Sequence, residues 1–323
     1  KPHAGLSYMF QMMNEARIGV GMGATMLGYA GYQHSLDYAR NRPQGRPPQA
    51  KDFDAPQRPI IEHADVRNML LKQKAYVEGG LSLCLYGSSL LDEAHTNPEP
   101  KMAEDALALL DLLTPIIKSW CSEYGPKAND LAIQILGGAG YTREYPVEQY
   151  WRDNRLNPIH EGTNGIQALD LMGRKIWQKN SQGLVLLNQV MMQDMLRVGA
   201  DNERLAPWVA SLKDALKKVQ LVTQQLAGDM QKTSPDQVLA NATCYLNMLS
   251  KVVVSWLWLR QALAAQSGVT KTEDSDQVSK DFYEGKLQAA QYFFHWELPL
   301  MHHDAQLLLA RDTTCFAMRD GCF

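Results

Sequence analysis

Between Gln134 and Gln167 the chain gathers residue types that core packing alone does not need. The run reads Gln134-Ile135-Leu136-Gly137-Gly138-Ala139-Gly140-Tyr141, then Glu144-Tyr145-Pro146-Val147-Glu148, then Trp151-Arg152-Asp153. It ends Ile159-His160-Glu161-Gly162-Thr163-Asn164-Gly165-Ile166-Gln167. One carboxylate, Glu161, falls on a turn just ahead of a helix start. There it can be held by backbone geometry, desolvated by its neighbours and used as a base. The ordinary alternative is an acid favoured by the dipole of the helix that follows. Gly137 and Gly138 let backbone come close to a ligand, or simply stop a helix. Asn14 and Arg17 lie one helical turn apart, so both polar ends can face one site. Arg42 carries a planar fork of donors suited to an anion, although Arg40 and Arg46 compete for that part.

Taken in order, these segments closely resemble the acyl-CoA dehydrogenase family of flavoproteins. Its pattern is Gln-x-x-Gly-Gly-x-Gly-Tyr/Phe, Glu-Tyr-Pro-Val-Glu, Arg-Asp, and an aromatic residue or His before Glu-Gly-Thr. The resemblance reaches back through Met13-Asn14-Glu15-Ala16-Arg17 and Arg42-Pro43-Gln44-Gly45-Arg46, and covers about residues 5–175. Beyond that the chain looks like the extra helical domain of a bacterial subgroup that includes the methylthiopropanoyl-CoA dehydrogenases.

The resemblance implies a set of roles. Glu161 would remove the α-proton of an acyl-CoA thioester while the β-hydrogen leaves as hydride to FAD, giving a trans-2-enoyl-CoA. Such a weak carbon acid calls for a base of raised pKa and donors for the enolate-like oxygen. In the family those donors are the N–H of this Glu and a hydroxyl of the flavin side chain. Arg42, Gln44, Gln134, Gly137, Gly138 and Thr163 would hold FAD, several of them on a neighbouring subunit's cofactor. Asn14, Arg17, His160 and Gly162 would line the acyl-CoA site. Gly165 stands where several members carry a Gln that contacts FAD. The implied partners are electron-transfer flavoprotein as oxidant and further copies of the chain, as a homodimer or homotetramer. Family members carry a helical and a β-barrel domain ahead of this point. The chain opens on Lys1, and so reads as the C-terminal part of a longer enzyme, inactive by itself. A rival reading is a non-catalytic helical fragment or scaffold related to the alkylation-response flavoproteins.

Bulk properties narrow the field. With 323 residues, a net charge of -3 and no basic tract, nucleic acid is excluded as a partner. The longest apolar runs are too short and too interrupted to enter a bilayer. The five cysteines are scattered without metal-ligand spacing, four of them in apolar helical patterns. They read as reduced core thiols of a cytoplasmic protein. His295, Glu297, His302, His303 and Asp304 meet no ligand spacing, and no metal is expected.

The elements that must position these groups read as all-α: a four-helix bundle over residues 1–180, then an accessory helical bundle over 181–323. Helical periodicity runs to about Arg40, returns over 62–95, and again over 102–136, where Pro115 should kink or break the helix. The proline-rich stretch from Arg42 to Pro59 reads as loop. Asn164 and Gln167 have capping-box spacing, with a helix to about Gln178. Residues 203–231, 236–266 and 277–312 read as long amphipathic helices. Tyr245, Leu249, Val252, Val253 and Trp256 form a stripe on the second, and 267–275 reads as loop. Apolar surface is expected on the outer faces of 62–95 and 102–136.

Overall fold

Three long helices form the frame: α1 (Gly5–Asn41), α2 (Ala64–Thr96) and α3 (Pro100–Leu136). The structure is a computed structural model describing residues 2–3, 5–47, 55–199 and 201–323, and the side chains of residues 6, 7, 10, 11 and 14 fall outside that description. The side chain of Asn14 therefore lies outside the described residues, as do residues 48–54 of the proline-rich loop. The helix directions follow from contacts. Gly21 meets Ile117 and Cys121, Gly28 meets Gly125, and Gly31 meets Asn129, so α1 and α3 run parallel. Ser35 donates to Gln73 and Gly80 abuts Thr25, so α2 runs back against α1. At the crossing of α1 and α3 the backbones touch. A Cβ on Gly125 would lie 2.5 Å from the carbonyl oxygen of Ala24.

Helix α3 does not break at its prolines. It runs unbroken through Pro115 and Pro126. Each proline removes one backbone bond, but Leu112, Leu113, Ile116, Ile117 and Trp120 are all buried around the first of them. Burial of side chains of that size is worth about 1.5–3 kcal/mol each, which outweighs a local helix defect of about 3 kcal/mol.

The chain continues through α4 (Val147–Asn154), α5 (Asn164–Gly173), α6 (Gln178–Leu196), α7 (Ala206–Asp229), α8 (Pro235–Leu239) and α9 (Ala242–Lys271). It closes with α10 (Gln277–Tyr292), α11 (Met301–Leu309) and α12 (Thr314–Ala317). A π-turn and a 3-10 turn join α10 to α11 and absorb Pro299. Among the described residues there is no strand, only one isolated bridge between Pro43 and Pro59. None of the helices is long and apolar enough to cross a membrane.

Helix α9 corrects two expectations. It runs on to Lys271, five residues into the stretch read as loop. From Met248 to Leu259 it is also buried on every side rather than along one stripe: Ser250, Lys251 and Ser255 are covered along with Leu249 and Trp256. The reason is its place between the two halves. Trp258 donates to the carbonyl of Ala75 at 3.1 Å, and Trp256 donates to Asp194 at 2.8 Å. Lys251 is paired with Asp304 at 2.9 Å. One hydrophobic core runs from Ile18 on α1 to Leu308 on α11. A smaller one gathers Tyr32, Ala39, Ile60, Ile135, Leu136 and Val147 where α1 and α3 end.

Two further expectations change. Only Cys84 and Cys121 are buried thiols; Cys244 is half-buried, and Cys315 and Cys322 are exposed on the short terminal turns. On α2 and α3 the exposed large apolar residues are Leu85, Met102 and Leu107 alone among the described residues. Exposed apolar side chains collect instead beside the candidate base.

Candidate active site

The turn that carries Glu161 begins where α4 ends. Asn154, fully buried, donates to the carbonyl of Ala24 at 3.0 Å and to Oδ1 of Asn129 at 2.7 Å. Asn129 donates in turn to the carbonyl of Leu27 at 2.9 Å. Asn157 donates to Oδ1 of Asn154 at 2.8 Å, and His160 Nε2 donates to Oδ1 of Asn157 at 3.0 Å. A relay of asparagines thus runs from the α1–α3 crossing to the residue before Glu161. His160 is exposed and held by this relay.

Glu161 is half-buried and has φ +54°, in the left-handed region. For a non-glycine residue that conformation costs on the order of 1–3 kcal/mol and persists only where the surroundings impose it. Gly162 follows at φ +87°, and a Cβ there would sit 2.6 Å from Nε2 of Gln167. That Nε2, on a fully buried side chain, donates to the carbonyls of Glu161 at 3.2 Å and Gly162 at 3.4 Å. The helix cap corrects the capping-box reading by one residue. Thr163 is the cap, its Oγ1 accepting from the N–H of Ile166 at 3.3 Å. Gln167 does not bond the cap but reaches under the turn. Helix α5 stops at Gly173, short of Gln178.

Asn164, the first residue of α5, binds the turn to α3. Its Oδ1 accepts from Lys118 Nζ at 3.2 Å and from Ser122 Oγ at 3.0 Å, while its Nδ2 donates to Glu123 at 3.3 Å. Lys118 is wholly buried. Burial first, and then the charge of Arg17, push its pKa down to about 8, while Glu161 pulls it back up. Arg17 is only 5 % exposed and faces Asp170 at 3.7 Å, with its Nε unpartnered among the described residues. It points inward, not onto an open surface. Beside Asn164 a cavity of about 150 Å³ lies between α3 and α9. Leu156, Ile159, Ile166 and Leu169 flank the turn with exposed apolar side chains.

The other predicted residues form a separate group. The stretch after α1 is clipped to the stretch before α2. Ile60 N–H donates to the carbonyl of Arg42 at 2.9 Å, and Gln44 N–H to that of Arg58 at 3.0 Å. His63 Nε2 donates to the Gln44 carbonyl at 2.7 Å. The Arg42 and Gln44 side chains are left exposed. Because α1 and α3 run parallel, the end of α3 lies at the same end of the frame. Gln134, Gly137 and Gly138 are exposed there, Gly137 caps α3 at φ +59°, and nothing stands within 4 Å of a Cβ on Gly138. Gln134 lies sixteen residues beyond Lys118 on α3, about 24 Å along the axis at 1.5 Å per residue. The structure therefore brings Glu161, Gly162, Thr163, His160 and Arg17 together at mid-frame. It places Arg42, Gln44, Gln134, Gly137 and Gly138 at the far end.

Both halves of the chain match known protein families. The family model described as "Acyl-CoA dehydrogenase, C-terminal domain" matches residues 3–176, and "Acetyl-CoA dehydrogenase C-terminal like" matches residues 189–319. The chain belongs to the acyl-CoA dehydrogenase family. It is 34% identical over 294 residues to the 3-methylmercaptopropionyl-CoA dehydrogenase of Ruegeria pomeroyi, covering 90% of this chain and 48% of that protein. It is 32% identical over 328 residues to the broad-specificity linear acyl-CoA dehydrogenase FadE5 of Mycobacterium tuberculosis, covering 99% of this chain and 53% of that protein. The chain thus spans about half the length of the curated relatives it matches. The fold is shared with a Bacillus anthracis acyl-CoA dehydrogenase complexed with FAD, at a TM-score of 0.72 and 21% identity over 95% of this chain and 50% of that one.

Within this family member, three groups around the turn escaped sequence reasoning. Asn129 and Asn154 look like ordinary helix-surface amides. Lys118 carried a signal: it is the one charge in the run Leu112-Leu113-Thr114-Pro115-Ile116-Ile117-Lys118-Ser119-Trp120. The tempting histidine and acid cluster has other uses. Glu297 accepts from Tyr76 at 3.0 Å and Asp304 pairs with Lys251.

Proposed function

We propose that the protein carrying this chain is an FAD-dependent acyl-CoA dehydrogenase with Glu161 as its base. The observation that carries the reading is the turn itself. A single carboxylate sits on a left-handed backbone, pinned from α1, α3 and α5 and bordered by exposed apolar side chains. That is costly for an ordinary surface acid and suited to a base that must meet one carbon atom.

The residues at the far end fit FAD. Arg42 and Gln134 are exposed and without side-chain partners among the described residues, and Gly138 leaves room for close approach. Arg42, Gln44, Gln134, Gly137 and Gly138 would hold its phosphate arm, with Thr163 near the base. Bound FAD supplies the acceptor for the β-hydrogen. The chain's own part is to take the α-proton onto the Glu161 carboxylate and to offer the Glu161 N–H to the thioester oxygen. His160 and Gly162 shape the wall on either side of the base. Asn14 and Arg17 stay assigned to the acyl-CoA end by position, Arg17 from beneath the turn.

The separation of the two groups supports an assembly in which one subunit's far end serves another's cofactor, as a homodimer or homotetramer. The relatives are named for sulfur-containing, linear and butyryl thioesters, so the substrate class is acyl-CoA without a fixed chain length. Electron-transfer flavoprotein is the proposed oxidant, and the cytoplasm the proposed location. We place the catalytic unit at residues 1–180 and the accessory unit at 181–323. Three successive left-handed residues, Lys179, Asn180 and Ser181, support that boundary.

The test is anaerobic titration of the purified full-length protein with butyryl- to palmitoyl-CoA. Flavin absorbance that bleaches with formation of enoyl-CoA supports the reading. A flavin-free protein, or one whose flavin no thioester reduces, overturns it.

A further inference from the structure

Lys118 takes a positive charge into a place that gives it no carboxylate. It is wholly buried, and its side-chain hydrogen bond goes to the neutral Oδ1 of Asn164 at 3.2 Å. No ion pair holds it among the described residues. Its neighbours on α3, Ile117 and Trp120, are buried as well. An apolar residue of similar length would avoid the cost of dehydrating an ammonium. The charge must therefore be kept for what it reaches, and it reaches the turn. Asn164 stands three residues after Glu161 and shares its Oδ1 between Lys118 and Ser122.

We propose that Lys118 is a positioning residue for the base: through Asn164 it fixes the turn that carries Glu161. The proposal rests on the reading of Glu161 as the base. A charged donor makes a stronger hydrogen bond to the Asn164 oxygen than a neutral one would. Other charges near the turn have partners of their own. Arg17 of α1 faces Asp170 of α5, and Glu123 of α3 is paired with Lys127 at 3.0 Å. Helix α9 presents Thr243, Asn247 and Ser250 to the adjoining cavity, none of them charged. His160 is exposed and turned to Asn157. Among the described residues Lys118 is thus a wholly buried charge without an ion pair.

Three variants of the full-length, FAD-loaded protein test this with octanoyl-CoA as the probe, or whichever chain length reduces the wild type fastest. Glu161→Gln comes first. If it reduces flavin at the wild-type rate, the base reading itself fails. With that variant slow, Lys118→Met is expected to lower the saturating reduction rate about tenfold and leave the apparent Kd for the thioester within about threefold. Asn164→Ala cuts the tether and keeps the charge, so its rate should fall as well, again with little change in the apparent Kd. A Lys118→Met enzyme with a rate within about twofold of wild type overturns the proposal. So does a full reduction rate in Asn164→Ala, which decides the matter if Lys118→Met does not fold.

Discussion

Gln167 Nε2 lies 3.2 Å from the carbonyl oxygen of Glu161, so the backbone of the proposed base is bonded to the helix that follows it. The same amide reaches the Gly162 carbonyl at 3.4 Å. The side chain is fully buried, so both bonds are shielded from water. A left-handed glutamate needs such a hold. Gln167→Leu keeps the volume and removes both bonds. It should lower stability by about 1–3 kcal/mol, the cost of stranding buried carbonyl groups. Thermal unfolding and flavin-reduction rates would check this, with reduction expected to fall more than FAD binding.

Asn154 joins α1, α3 and the turn through three hydrogen bonds. Asn154→Ala should destabilise by about 1–3 kcal/mol, since Asn129 loses its partner inside the core. Amide hydrogen exchange should rise across residues 155–163 before it rises in α3. Unchanged protection there would show that the relay does not hold the turn.

The crossing of α1 and α3 allows no side chain at Gly125. Its Cβ would meet the Ala24 carbonyl oxygen at 2.5 Å. Gly125→Ala should cost about 1–3 kcal/mol through overpacking, despite alanine's better helix propensity. Chemical denaturation measures the cost, and a gain in stability would contradict the crossing.

How much of this was legible in the sequence follows from range. The helices announced themselves by local periodicity, and the Glu161 turn by a motif of contiguous residues. The relay from Asn129 to Asn154 spans separate helices, and nothing in its spacing marks it. Helix α9 was misread because its stripe of Tyr245, Leu249 and Trp256 is real. The periodicity does not disclose that Ser250, Lys251 and Ser255 are covered too. Pro115 was given its usual effect, and the surrounding core overrode it. The two proposed ligand ends were read from motifs, but their separation along α3 appears only once the parallel run of α1 and α3 is known.

Lys118 gives a pH signature. Burial, then Arg17, hold its pKa near 8 in the folded state, below the ordinary value of 10.5. Between those values the unfolded chain binds more protons than the folded one, so this group's contribution to stability rises with pH across about 8 to 10.5. The full difference is on the order of 3 kcal/mol. Lys118→Met should therefore be at least as stable as wild type at pH 7, with that advantage shrinking by pH 10. Melting curves of both proteins at the two pH values would show it. A constant difference would place the lysine in a more hydrated setting.

The central claim is that Glu161 is the base, and stopped-flow reduction of the flavin by acyl-CoA tests it most directly. Glutamine at position 161 keeps the shape of the side chain and cannot take a proton at neutral pH. With FAD content and fold unchanged, Glu161→Gln in the full-length protein should be reduced about 100- to 10,000-fold more slowly than wild type. A reduction rate near that of wild type would contradict the account.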